Sequence, residues 1–424
     1  MAQSRTVATP AQALHESETA AGERWAVSGR PTPTRAVVQR MAPIAVLVAM
    51  ILSGACSSSH SVLSPVSPPT AQRSPQGSLP GNLIASSLPA PVQTLRALSC
   101  PTARRCWAVG SLLVTSSAPA GAALLATIDG GSSWTIETVP PSVRYLSAVA
   151  CPSTRSCTAV GQIGLTGAGP GAILTTADSG TTWTLQSVPD GTTDVTAVDC
   201  RADGRCTALG VLSGRVTALT SSATGIWGAG GVLPTVGSAT ALSCIDANHC
   251  WATATQAVDV GHVVGVIETT SDGGSTWAVQ RLPIGTGALH GIDCHNGTTA
   301  GTRISCTAVG TTSTVVGGAR VGQGVVLTTG DGGGSWSAEP VESTAADLLG
   351  VSCSAGSCVA VGTTVKTTSQ AGAVLLAGAA GGTGSVWHRA SEANVALPLS
   401  AISCVQLSTC VMVGESISAQ LAAG

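Results

Sequence analysis

The sequence predicts an all-β fold, a seven-bladed β-propeller, and three observations predict it: cysteines that recur in pairs, tryptophans locked to those pairs at one spacing, and a composition suited to turns. Cys56 aside, the 15 cysteines form sequential pairs, Cys100/Cys106, Cys151/Cys157, Cys200/Cys206, Cys244/Cys250, Cys294/Cys306, Cys353/Cys358 and Cys404/Cys410, which divide the chain into repeats of 44 to 59 residues. Trp134, Trp183, Trp227, Trp277, Trp336 and Trp387 each lie seventeen residues before the first cysteine of the next pair. Repetition at this period is the signature of solenoids and propellers. With 52 glycines in 424 residues and only 9% charged residues, the chain favours turn-rich sheet over helix.

Each repeat reads as four short strands, β-branched and small apolar residues between Gly, Ser and Pro punctuation; in the second they are Trp134 to Val139, Leu146 to Cys151, Cys157 to Gly161 and Ala172 to Thr176. The last repeat ends after one strand beyond Cys410, near Ile417 to Leu421. Counting seventeen back from Cys100 gives Leu83, with Pro89 six residues on as in other repeats, so residues 83 to 89 are an orphan first copy without its Trp. Pairing of this N-terminal strand with the last blade is expected to close the ring and remove the open sheet edges.

The cysteine pairs straddle the turn between the first two strands of each blade. Opposed residues of such a hairpin lie within about 5.5 Å, inside disulfide range. The expected bridges are Cys100–Cys106, Cys151–Cys157, Cys200–Cys206, Cys244–Cys250, Cys294–Cys306, Cys353–Cys358 and Cys404–Cys410, one per blade. A shared zinc is excluded by their distribution around the ring, and no metal is expected.

The third strand runs into Thr127-Ile-Asp129-Gly-Gly-Ser-Ser-Trp134, a turn that recurs as Thr176 to Trp183, Thr270 to Trp277 and Thr329 to Trp336. It resembles the Asp-box of the BNR repeat, S/T-x-D-x-G-x-x-W, of sialidase-like propellers. A short carboxylate holds the backbone of its own turn, Gly supplies positive φ and Trp packs between blades. Asp129, Trp134, Asp178, Trp183, Asp272, Trp277, Asp331 and Trp336 are therefore read as structural. With its recurring Val-Gly, the repeat also looks like photosystem II stability/assembly factor propellers, which are non-catalytic.

Residues 41–56 read as a signal h-region ending in Leu52-Ser53-Gly54-Ala55-Cys56, which resembles a bacterial lipobox and makes Cys56 the expected lipidation site; an ordinary cleaved signal is the alternative. Residues 1–40 are expected to be a disordered extension, or a misassigned one with the true start near Val37. Residues 57–81, rich in Ser and Pro, read as a tether to the propeller of 82–424. The chain is thus expected on the outer side of the cell membrane, lipid-anchored, or else secreted. A monomer is expected. The net charge of -2 and the absence of a basic tract point away from nucleic acid.

Because strands alternate in direction, the disulfide turns and Asp turns share one face, and the second-to-third loops and blade connections share the other. The disulfide face carries Arg104, Arg105, Arg155, Arg201 and Arg205, a candidate surface for an acidic partner or lipid headgroups. Solvated turn residues without a partner are the plain alternative. The loop face is where resemblance to sialidases would put a substrate. Sialidases use an arginine cluster, a Tyr paired with Glu, and an Asp; here the one tyrosine, Tyr145, has no Glu evidently placed beside it. Asp199 and Asp293, each preceding a first cysteine, are the candidate pair for two-carboxylate glycoside hydrolysis, or polar residues wetting the channel. No cofactor fingerprint or nucleophile motif occurs. The expectation is a scaffold binding an envelope protein or glycan, with a sialidase-like or glucanase-like glycoside hydrolase as the alternative.

Overall fold

Seven four-stranded antiparallel sheets follow one another along the chain in the computed structural model, which describes residues 82–422 except 114–120, 165–168, 236, 260–261, 298–302, 313, 317–318, 365–372, 381–385 and 390–396. The N-terminal extension, the apolar segment with Cys56 and the expected tether lie outside the described residues. Blades 1 to 7 begin with the inner strands Val92–Ser99, Val143–Ala150, Thr192–Cys200, Ser238–Cys244, Thr286–Asn296, Ala345–Ser354 and Leu399–Gln406, and the remaining strands of each are added outward. In blade 7 the outermost strand is Asn82–Ser87, antiparallel to Ile417–Ala422 with Asn82 opposite Ala422. The ring therefore closes as the orphan repeat predicts, and every blade finds its partners within residues 82–422. The Trp strand is shorter than expected: Thr135–Ile136 replaces Trp134 to Val139. An additional two-stranded ribbon, Thr314–Val316 with Ala319–Val321, rises from blade 5.

All seven disulfides are present, with Cα–Cα distances of 4.0 to 4.1 Å. This is closer than the expected 5.5 Å, because the cysteines occupy the close, non-hydrogen-bonded kind of opposed pair. The amide of the first cysteine is thereby left without a ladder partner, on a strand whose inner edge faces the channel. A backbone donor in such a place needs another acceptor. The neighbouring blade supplies it: the amides of Cys100, Cys151, Cys244, Cys294, Cys353 and Cys404 donate to Ser403 Oγ, Ser99 Oγ, Asp199 Oδ2, Ser243 Oγ, Asp293 Oδ2 and Ser352 Oγ, at 2.7 to 3.1 Å. At the remaining junction blade 2 offers Ala150, which has no acceptor, and Cys200 donates to Asp199 Oδ1 of its own blade instead. The disulfides staple blades individually, and this belt joins them.

Apolar packing repeats the same logic. The core comprises clusters at successive blade interfaces: Trp134 fills the one between blades 7 and 1, Trp183 the next, then Trp227, Trp277, Trp336 and Trp387. The cluster between blades 6 and 7, built on Val361, Leu399 and Met412, has no Trp, matching the orphan strand that lacks one. Urea denaturation of the oxidised protein should register both kinds of junction. Trp183→Ala is expected to cost about 3–5 kcal/mol through the cavity it leaves, and Ser352→Ala about 1–3 kcal/mol through the unpaired Cys404 amide.

Candidate functional site at the channel mouth

The seven inner strands enclose a central channel of about 200 Å³ lined by three residues from each blade. Its lining departs from strict strand alternation. In every blade the register between the first two strands slips by one residue at the same place, four residues before the first cysteine. A bulge of this kind re-aims a side chain. The residues set there are Arg96, Ser147, Thr196, Thr240, His290, Leu349 and Ser400, all part of the channel lining. The slip also accounts for the recurring Val-Gly. A Cβ at Gly161 would overlap the carbonyl oxygen of Tyr145, and one at Gly362 that of Asp347, so the second strand carries Gly where the bulged strand presses against it.

Two groups of side chains face the loop-side end of this lining. On blades 1 to 3 the Arg96 guanidinium lies over the Tyr145 ring, 5.3 Å from its centroid. Burial pushes the Tyr145 phenol up, Arg96 opposes this, and the charge of Asp194 adds to it. Asp194 is itself raised by burial. On blades 5 and 6 His290 Nε2 is 3.3 Å from Asp347 Oδ1, an ion-pair distance without hydrogen-bond alignment. Arg96 is exposed and forms no ion pair among the described residues. The mouth thus offers a cation, a protonated phenol and a ring of hydroxyls, chemistry that suits an anionic or hydroxyl-bearing group.

Tyr145 was legible in the sequence as a loop-face residue, whereas Arg96 and His290 as members of the site were not. Counting four back from each first cysteine would have found them. Asp199 and Asp293 lie in the belt on the disulfide side, and each is occupied by backbone donors. Both are half-buried. Burial raises Asp199 to about 6 against the amides of Cys244 and Cys200, and raises Asp293 to about 7, with Asp199 adding to the latter. Neither joins Tyr145 at the loop-side mouth.

The five arginines of the opposite face divide. Arg105 donates to the Ser179 carbonyl of blade 2 and lies over Trp107, and Arg201 reaches Thr207 and lies 3.8 Å from Asp203. Arg104, Arg155 and Arg205 are exposed. Each Asp turn is closed locally: in the second, Thr182 donates to Asp178 through both amide and hydroxyl, Thr176 donates through its hydroxyl, and these bonds hold Asp178 down to about 2. Asp272 and Asp331 are held at about 2 in the same manner, and for Asp129 the Ser133 and Thr127 bonds outweigh an opposing burial effect. Among the described residues no three His, Cys, Asp or Glu converge as metal ligands.

No protein-family model matches the sequence, and no curated protein matches it either. Solved structures share the fold. YCF48 bound to a D1 peptide is 15% identical, with a TM-score of 0.55 over 82% of this chain and 100% of that one. YCF48 from Cyanidioschyzon merolae is 15% identical, with a TM-score of 0.52 over 80% and 98%. Virginiamycin B lyase from Staphylococcus aureus is 10% identical, with a TM-score of 0.55 over 80% and 98%. These likenesses establish the propeller fold alone.

The raised carboxylates make a pH prediction. A carboxyl whose folded pKa exceeds its unfolded value near 3.8 favours the fold below that value, and the advantage is lost as pH rises through the folded pKa. Asp293 accepts one amide, so Asp293→Asn keeps the Cys353 contact while removing the titration. The variant should lose part of the decline in stability between about pH 4 and pH 7 and become the more stable protein at pH 8, measured by urea midpoints across that range. Asp199 accepts one amide on each oxygen, and Asn would set its NH2 donor against one of them, so its Asn variant should also lose one of the two contacts.

Proposed function

We propose that the chain is an exported BNR/Asp-box propeller, anchored by lipid on Cys56, that binds an envelope protein or glycan at the loop-side mouth of its channel. The observation that carries this reading is the mouth itself: seven strands bulge at one level and put Arg96 and His290 in the lining of an opening on a rigid ring, with Tyr145 and Asp194 beside the first and Asp347 beside the second. Seven disulfides place the domain in an oxidising, extracytoplasmic environment. Among the described residues no helix is long and apolar enough to cross a membrane. A propeller of similar shape, YCF48, holds a D1 peptide, which supports a protein segment as one class of partner.

Binding is favoured over turnover on chemical grounds. A nucleophilic tyrosine needs a lowered pKa or an adjacent base, and Tyr145 is shifted the opposite way by burial. The Asp199 and Asp293 carboxylates are engaged in the belt. The second reading, a glycoside hydrolase, rests on Arg96, Tyr145 and Asp194 occupying three consecutive blades. Incubation of the protein with envelope peptides, polysaccharides and sialosides, followed by mass spectrometry of retained and released species, separates the two. Retention without release, weakened at least tenfold by Arg96→Ala, is the expected outcome; released sugar lost with Tyr145→Phe would replace the binding reading by the hydrolase.

A further inference from the structure

The topology assigns the two faces of the ring to two surroundings. The closing strand starts at Asn82, opposite Ala422, and ends at Ser87, opposite Ile417. Ile417 adjoins Ser416, whose amide donates to Gln93 at the loop-side start of blade 1. Near the other end, Gln420 pairs with Ile84 and donates to Ser132 in the Asp turn of blade 1. The strand therefore begins on the disulfide face, beside blade 1, and whatever precedes it in the chain is joined to the domain there.

That same side carries the exposed Arg104, Arg155 and Arg205 on blades 1, 2 and 3. Two isoleucines stand out among them: Ile128 in the Asp turn of blade 1 is 67% exposed, and Ile226 at the corresponding turn of blade 3 is 71% exposed. On these blades five arginines, Arg104, Arg105, Arg155, Arg201 and Arg205, stand against four carboxylates, Asp129, Asp178, Asp203 and the half-buried Glu137 beside Arg105, which leaves this part of the face basic by one charge. On blades 4 and 5 the balance is reversed, with Asp246, Asp272 and Asp331 against Arg303. The loop face carries exposed Asp190, Glu342 and Glu415 beside exposed Arg96 and Arg215. Basic residues beside protruding apolar ones fit an anionic bilayer surface, where charge attraction and shallow apolar burial act together.

We infer that blades 1 to 3 of the disulfide face dock onto anionic phospholipid, so that the channel mouth points away from the membrane. The inference rests on the export and anchoring proposed above, and it adds a second membrane contact to the lipid. A single acyl chain gives only marginal binding, and a basic patch is one of the signals that completes it.

The test uses the processed chain, residues 57–424, made without lipid; it retains every strand of the closed ring. It is sedimented with vesicles of phosphatidylcholine alone and of phosphatidylcholine with phosphatidylglycerol, at low salt. Binding to the second vesicle only is expected, weakened about fivefold by each of Arg104→Gln, Arg155→Gln and Arg205→Gln, weakened again by Ile128→Ser with Ile226→Ser, and unchanged by Arg96→Gln on the loop face. Equal binding to both vesicles, no binding, or loss only with Arg96→Gln would overturn the docking. The intact mass of the cell-derived protein tests anchoring separately. A lipidated protein whose unlipidated form ignores phosphatidylglycerol vesicles contradicts the docking alone, whereas docking without lipid on Cys56 contradicts the anchor alone.

Discussion

Every inner strand of this ring has one edge with no strand to pair with, and the structure is organised around satisfying that edge. A sheet can leave such donors to water at an outer rim, but here they line a narrow channel where each must find an acceptor. The belt of Ser and Asp side chains does this across six of the seven blade junctions and so ties successive blades together. Its junctions are also where the tryptophan clusters lie, so polar and apolar restraint act at the same seams.

The inner strand departs from regular pairing a second time, at the bulge, and there the departure serves the channel. One residue per blade is turned into the lining, and the second strand accommodates it with Gly. Six of the seven residues so displayed are polar, although strands this buried are usually lined with apolar side chains. The ring thereby has a stapled, belted end and a chemically varied end. Rigid support of a variable mouth is the arrangement expected of a recognition surface.

The repeat, the bridges and the strand that closes the ring were legible because each depends on a residue type with few substitutes: Cys for a disulfide, Trp for an interblade wedge, Asp and Gly for the tight turn. Even the missing Trp at residue 83 was informative, since the structure has a Trp-free seam in the corresponding place. The site was less legible. Arg96 and His290 occupy positions that regular alternation would not mark, and their meaning depends on a register slip that no single residue announces. Asp199 and Asp293 were conspicuous as acids, yet the structure engages them through backbone amides, which leave no trace in the sequence. Ser99, Ser243, Ser352 and Ser403 at the equivalent positions were the clue, because a role that serine fills equally well is hydrogen bonding to a neighbour.

The measurement that tests the belt most directly is native-state hydrogen exchange at the first cysteine of each pair, followed by NMR. The amides of Cys100, Cys151, Cys244, Cys294, Cys353 and Cys404 are expected to exchange only with global unfolding, and Cys200, held within its own blade, to be released more readily. Exchange of all these amides at the rate of exposed turn residues would show that the blades are not joined there, and would contradict the account.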